Sequence, residues 1–154
     1  MASASQEKVI RIGGATASFS DTALSVPQLL AGGQLDYLIF DYLAEGSMGI
    51  FGRIQIADPG AGYGTDFLTV HVGPHLRDIA AQGVKVVANA GGVNPAGLAA
   101  ALEQMIAEMG LSLTVAHVDG DKVKSVAPEV LLRHLDRVVR LHKDVHVLGV
   151  GEIV

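Results

Sequence analysis

The chain has 154 residues, 49% of them hydrophobic and only 5% aromatic, so Val, Leu, Ile and Ala must build its core. That length buries a core without help from metals or disulfides, and the mixture suits a mostly parallel sheet under helices. The net charge is −5 with 11 scattered Lys and Arg and no cysteine, which excludes a phosphate-backbone footprint, disulfides, thiolate nucleophiles and zinc-thiolate sites; nucleic acid is not an expected partner.

The opening stretch MASASQEKVIRIGG lacks a basic start followed by an apolar core, and no run of about 18 uncharged apolar residues occurs anywhere. The expectation is a soluble cytoplasmic protein that makes no use of the membrane, with a flexible tail over 1–8 and a single α/β domain over 9–154. The apolar run VIRI at 9–12 is the first expected strand. Asp21 then offers a cap for a helix carrying Val26, Leu29 and Leu30, bent or broken at Pro27 and stopped at Gly32 and Gly33. YLIF at 37–40 is the second strand. In the helix that follows it, Gly46, Gly49 and Gly52 recur every third residue and form a stripe open to another backbone.

DPGAGYG at 58–64 reads as a loop. The stretch 65–82 is either one kinked helix or a fresh start at Pro74, with Gly83 as its left-handed stop. VKVVA at 84–88 is the third strand. The turn NAGGVNP at 89–95 then leads into a helix with Asn94 as N-cap, Pro95 at its first position and Gly110 as its stop. LTVAHV at 113–118 and VHVLGV at 145–150 are the fourth and fifth strands, with a helix between them from about Pro128 to Leu141. Strands alternating with helices in this way predict a three-layer α/β domain, a mostly parallel sheet of about five strands flanked by helices.

In such a sheet ligands gather beyond the carboxyl ends of the strands. The four exits are GGATASFSD, DYLAEGS, NAGGVNP and DGDK. Glycines there allow close backbone approach, and helix-start amides favour a carboxylate or phosphate; mere turn chemistry is the alternative. Gly13, Gly14, Asn89, Gly91, Gly92 and Asn94 are therefore candidate binding residues. Asp41 and Glu45 stand four apart; on a helix they would share a face as an acid and base pair, or else Asp41 caps the helix and Glu45 complements its dipole. Asp119 and Asp121 flank Gly120, forming either a tight turn or a grip on hydroxyls or Mg²⁺. Pro74 interrupts the His71 and His75 pair, and His142 and His146 straddle a turn. Each is read as a surface or half-buried histidine, with His117 as a strand core group, and no metal site is expected. Ser18, Ser20 and Ser47 offer hydroxyls near the exits but lie in no GxSxG elbow.

RIGGATASFSD, DYLAEGSMGIFGR, DPGAGYGTDF, GVKVVANAGGVNPAGLAAAL and VAHVDGD, in this order, resemble the N-terminal region of the acyclic terpene utilisation protein A (AtuA) family over about residues 9–121. The remainder, 122–154, matches no signature quoted for that family. The resemblance implies bacterial catabolism of acyclic terpenes and branched acids handled as coenzyme A thioesters. It also carries the loop residues Gly13, Gly14, Asp41, Glu45, Tyr63, Asn89, Gly91, Gly92, Asn94, Pro95, Asp119 and Asp121 into the candidate site. The expected function is an enzyme or enzyme subunit acting on an acyl-CoA-type or carboxylic substrate, such as a lyase that hydrates or dehydrates it. Asp41 and Glu45 would be its catalytic groups, and no cofactor would be required beyond CoA as part of the substrate. Family members are longer chains, so a homo-oligomer or a second subunit is expected. The alternatives are a non-catalytic subunit that completes a partner chain and a nucleotide-binding module using Gly13 and Gly14.

Overall fold

The computed structural model describes residues 9–119. The chain divides into two units, Met1–His117 and Val118–Val154, and every element below lies in the first. These are β1 (Ile12–Thr16), α1 (Ser25–Gly32), β2 (Tyr37–Phe40), α2 (Glu45–Ala57), a π-helical turn (Phe67–His71), a 3₁₀ turn (Gly73–His75), α3 (Leu76–Gln82), β3 (Lys85–Ala88) and α4 (Pro95–Glu108). The three strands form one parallel sheet in the order β1-β2-β3. Tyr37 pairs with Ile12 on one side and Lys85 on the other, and an irregularity between Gly14 and Thr16 sets Thr16 beside Phe40.

Both crossovers step in the same direction across this sheet, and right-handed crossovers then place their helices on one face. The burial pattern agrees. Gly13, Ala15, Leu38 and Phe40 point into the core, whereas Ile12, Ile39 and Val87 on the other face are 57%, 39% and 53% exposed. Gly13 lies under α1 so closely that a Cβ would meet Leu29 and Leu35 at 3.1 Å. Burying side chains such as Leu38 and Phe40 contributes about 1.5–3 kcal/mol each.

The sheet of about five strands is corrected to three among the described residues. The stretch 113–118 is not a strand. Leu111, Leu113 and Val115 pack against the core while Ser112, Thr114 and Ala116 face outward, so its alternation reports packing and not a hydrogen-bonded ladder. The first strand begins at Ile12, three residues later than expected, and ends at Thr16. Asp21 does not cap α1: it accepts from Ala17 N and Thr22 N, at 3.0 and 2.7 Å, and Leu24 holds the cap position. Pro27 falls within the first turn, where its missing N–H has no intrahelical partner to lose. His117 is exposed and outside any strand. The expected tail 1–8, the helix near 128–141, the strand at 145–150, Asp121, His142 and His146 lie outside the described residues.

The stretch 65–82 is kinked, and the cause is steric. A Cβ on Gly73 would stand 1.9 Å from the Leu68 carbonyl oxygen, and Pro74 contributes no N–H, so the chain passes through a π-helical turn and a 3₁₀ turn before α3. Gly83 ends α3 at φ 66°, in the left-handed region. No helix of the described residues is long and apolar enough to cross a membrane.

Candidate functional site

The ends of β2 and β3 carry the first polar group. Asn89 Nδ2 donates to Asp41 Oδ1 at 2.8 Å, and Asn89 Oδ1 accepts from the Tyr42 backbone N at 2.6 Å. The amide is thus held by the backbone on one side and presented to the carboxylate on the other. Asp41 and Asn89 are both exposed, and together they form a polar rim at the carboxyl end of the sheet, where parallel strands gather ligands.

The rest of the NAGGVNP turn is structural. Gly91 lies against Pro95, which a Cβ would meet at 2.7 Å, and Gly92, at φ 54°, leaves room for the Gly62 carbonyl and the Phe51 ring. Asn94 Oδ1 caps α4 by accepting from Gly97 N at 3.0 Å, while Nδ2 donates to the carbonyls of Gly60 and Ala61. Val93 N donates to Gly62 O, and Gly64 N to Ala90 O. The 58–64 loop is therefore stitched to the turn. The amides of Asn89, Gly92 and Asn94 donate within the fold, to Phe40 O, Asn89 O and Gly91 O, and the exposed Asn89 side chain donates to Asp41 at the rim.

The other expected residues are placed as follows. Asp41 and Glu45 do not share a helix face: α2 begins at Glu45 with Ala44 as its cap, so Asp41 lies outside the helix and the exposed Glu45 sits in the first turn, where it complements the dipole. Gly13 and Gly14 lie inside β1 and not in the loop after it. Tyr63 is half-buried and packs against the core, and Asp119 is exposed. Ser47 is buried, accepting from Ala44 N and donating to Tyr42 O, each at 2.8 Å. Among the described residues, no other atom comes within 4 Å of a Cβ position on Gly46, Gly49 or Gly52.

A second polar group escaped the sequence reading. Beneath the rim, Tyr42 and His71 are 1% and 0% exposed, with ring centroids 6.3 Å apart and planes at 90°. His71 Nε2 lies 3.7 Å from Asp66 Oδ2, which itself accepts from Ser20 N at 2.9 Å. Among the described residues, the buried side-chain atoms without a hydrogen-bond partner include Thr16 Oγ1 and both ring nitrogens of His71. Burial, then the charge of nearby Asp66 and a hydrogen bond to its side chain, raises the Tyr42 pKa far above the usual phenol range, so its hydroxyl keeps its proton. Asp21 is held below its ordinary value by the N–H groups of Ala17 and Thr22. Asp66 and His71 are five apart, a spacing that 3.6 residues per turn puts on different sides of an α-helix and the π-helical turn brings together. The expectation of a surface or half-buried His71 is corrected by this turn. No group of three or more His, Asp and Glu among the described residues is arranged to hold a metal.

A family model described as "Acyclic terpene utilisation family protein AtuA" matches residues 10–146, carrying the likeness beyond the N-terminal portion and across most of the chain. No curated protein and no solved structure matches.

Proposed function

The chain belongs to the acyclic terpene utilisation AtuA family, and on that premise we propose that it is an enzyme, or the loop-bearing subunit of one, acting on a branched acyl-CoA-type or carboxylic substrate by hydration or dehydration. The family description ties the chain to the utilisation of acyclic terpenes. The observation that carries the chemical part is the Asp41 and Asn89 contact of 2.8 Å on the exposed strand ends. Proton transfer next to a carbonyl needs a carboxylate that can take or give a proton and a donor that stabilises the oxygen as it gains charge. Asp41 fills the first role. Asn89, fixed by its bond from Tyr42 N, fills the second, and Glu45 and Tyr63 are left to orient the substrate.

A thermal melt against CoA, a branched acyl-CoA, the free branched acid, ATP and NAD tests this reading. A ligand at about 100 times its Kd stabilises by about 2.7 kcal/mol. The acyl-CoA or the acid should raise Tm, and the rise should vanish in Asp41→Ala. A rise with ATP or NAD alone would replace the reading with nucleotide binding, which the strand position of Gly13 and Gly14 does not favour.

One observation favours a second reading, a subunit completed by a partner chain: the apolar sheet face at Ile12, Ile39 and Val87 is open. Light scattering of the chain alone and with a co-encoded neighbour separates the two. Turnover by a homo-oligomer removes the subunit reading, and turnover only in the mixed complex supports it.

A further inference from the structure

Helix α2 turns Ser47 and Phe51 into the core. At about 3.6 residues per turn, Gly46, Gly49, Ile50, Arg53, Ile54 and Ala57 then share the opposite side, and all six are exposed. Ile50, Ile54 and Ile56 are 44%, 40% and 86% exposed, so this outer face is apolar, and contiguous exposed apolar surface marks an interaction site. Its glycines point the same way. Glycine weakens a helix relative to alanine, yet nothing among the described residues stands within 4 Å of a Cβ on Gly46, Gly49 or Gly52. Packing among these residues therefore does not require glycine at any of the three, whereas close approach of another helix would.

Two charges select the occupant. Glu45 opens α2, and Arg53 follows on the same flank of the outer face, roughly 12 Å along the helix axis. Among the described residues neither takes part in an ion pair. Two copies of α2 laid parallel would set Glu45 against Glu45 and align their dipoles unfavourably. Laid antiparallel about Gly49, which stands midway between the two charges, they bring Glu45 of each copy level with Arg53 of the other. Gly46 is then level with Gly52, and Ile50 meets its own counterpart beside the twofold axis. The face is thus complementary to itself in charge and in shape, as an isologous interface requires.

We propose that the outer face of α2 is the interface of a homodimer, in which the α2 helices of two copies pack antiparallel about Gly49 and pair Glu45 with Arg53 in both directions. The glycines let the two backbones approach, and the approach covers the isoleucines. This surface is separate from the open sheet face at Ile12, Ile39 and Val87, and the proposal does not rest on the reaction above. A carboxylate accepts more than one hydrogen bond, so the pairing leaves Glu45 able to face the rim as well.

Sedimentation of the full chain over a concentration series tests this, with circular dichroism melts to show that each variant is folded. Wild type should dimerise. Arg53→Glu sets like charges against each other and should raise the dimer Kd by about tenfold or more. Combining it with Glu45→Arg in one chain reverses both signs and should return the Kd to within a few-fold of wild type. Gly49→Gln should weaken the dimer as strongly without lowering the Tm of dilute, monomeric protein, because the position is open and the helix gains propensity. Wild type that stays monomeric at every concentration overturns the proposal. So does a dimer that neither Arg53→Glu nor Gly49→Gln weakens, or one that Ile39→Asp on the sheet face dissociates in their place. A double variant that fails to reassociate rejects the antiparallel pairing of Glu45 with Arg53.

Discussion

Asp41 and Tyr42 are neighbours in the chain, yet they leave the end of β2 on opposite sides. Asp41 is exposed and bonded to Asn89, whereas Tyr42 is buried against His71 and Asp66. The rim is a surface contact fixed by the backbone, and the interior group is enclosed by aromatic rings. Asn89 links the two, since the same side chain accepts from Tyr42 N and donates to Asp41.

The largest expected effect breaks the interior half. Gly73→Ala forces a methyl to within 1.9 Å of Leu68 O and 2.8 Å of Met105 Sδ, so the turns that hold His71 must shift. Denaturant unfolding should show a loss of about 3 kcal/mol, the upper end for an overpacked site. If stability is unchanged, the π-helical turn does not depend on that contact.

Next comes the link itself. Asn89→Ala removes the acceptor of the Tyr42 N–H and should cost about 1–3 kcal/mol, the penalty for a buried donor left unpaired. Melting of Asn89→Ala beside Asp41→Ala separates the two sides of the comparison: the first should fall, and the second should stay near wild type because Asp41 is exposed.

The smallest effect is a pH dependence. Asp21 has a folded pKa below its ordinary 3.8 because Ala17 N and Thr22 N donate to it. The stability it lends is therefore complete above that value and lost as pH falls through the lower, folded one. In Asp21→Asn this acid-side loss should be shallower in melts taken from pH 5 downward, and an unaltered slope would show that the loop 17–22 draws no stability from the charge.

Local signals carried part of this architecture. YLIF and KVVA are strands, Asn94 and Pro95 start α4, and Gly83 and Gly110 take the left-handed stops. Each depends on residues within one turn of chain, and so was legible in the sequence. The meeting of Asp41 with Asn89 was legible too, because topology sends the exits of adjacent parallel strands to one rim. What stayed hidden depends on distant packing. The alternation at 113–118 satisfies side chains against the core without a ladder, and a histidine in FLTVHV gives no sign of a turn widened by Gly73. The Asp66 and His71 spacing of five was the available clue, and it becomes meaningful only once that turn is known.

The most direct test of the central claim, that the substrate meets the polar rim at the ends of β2 and β3, is the spectrum of the Asn89 side-chain amide during titration with a branched acyl-CoA. This account predicts a saturable shift in wild type, lost in Asp41→Ala while that variant melts as wild type does. A ligand that binds and leaves the Asn89 amide unmoved would contradict it.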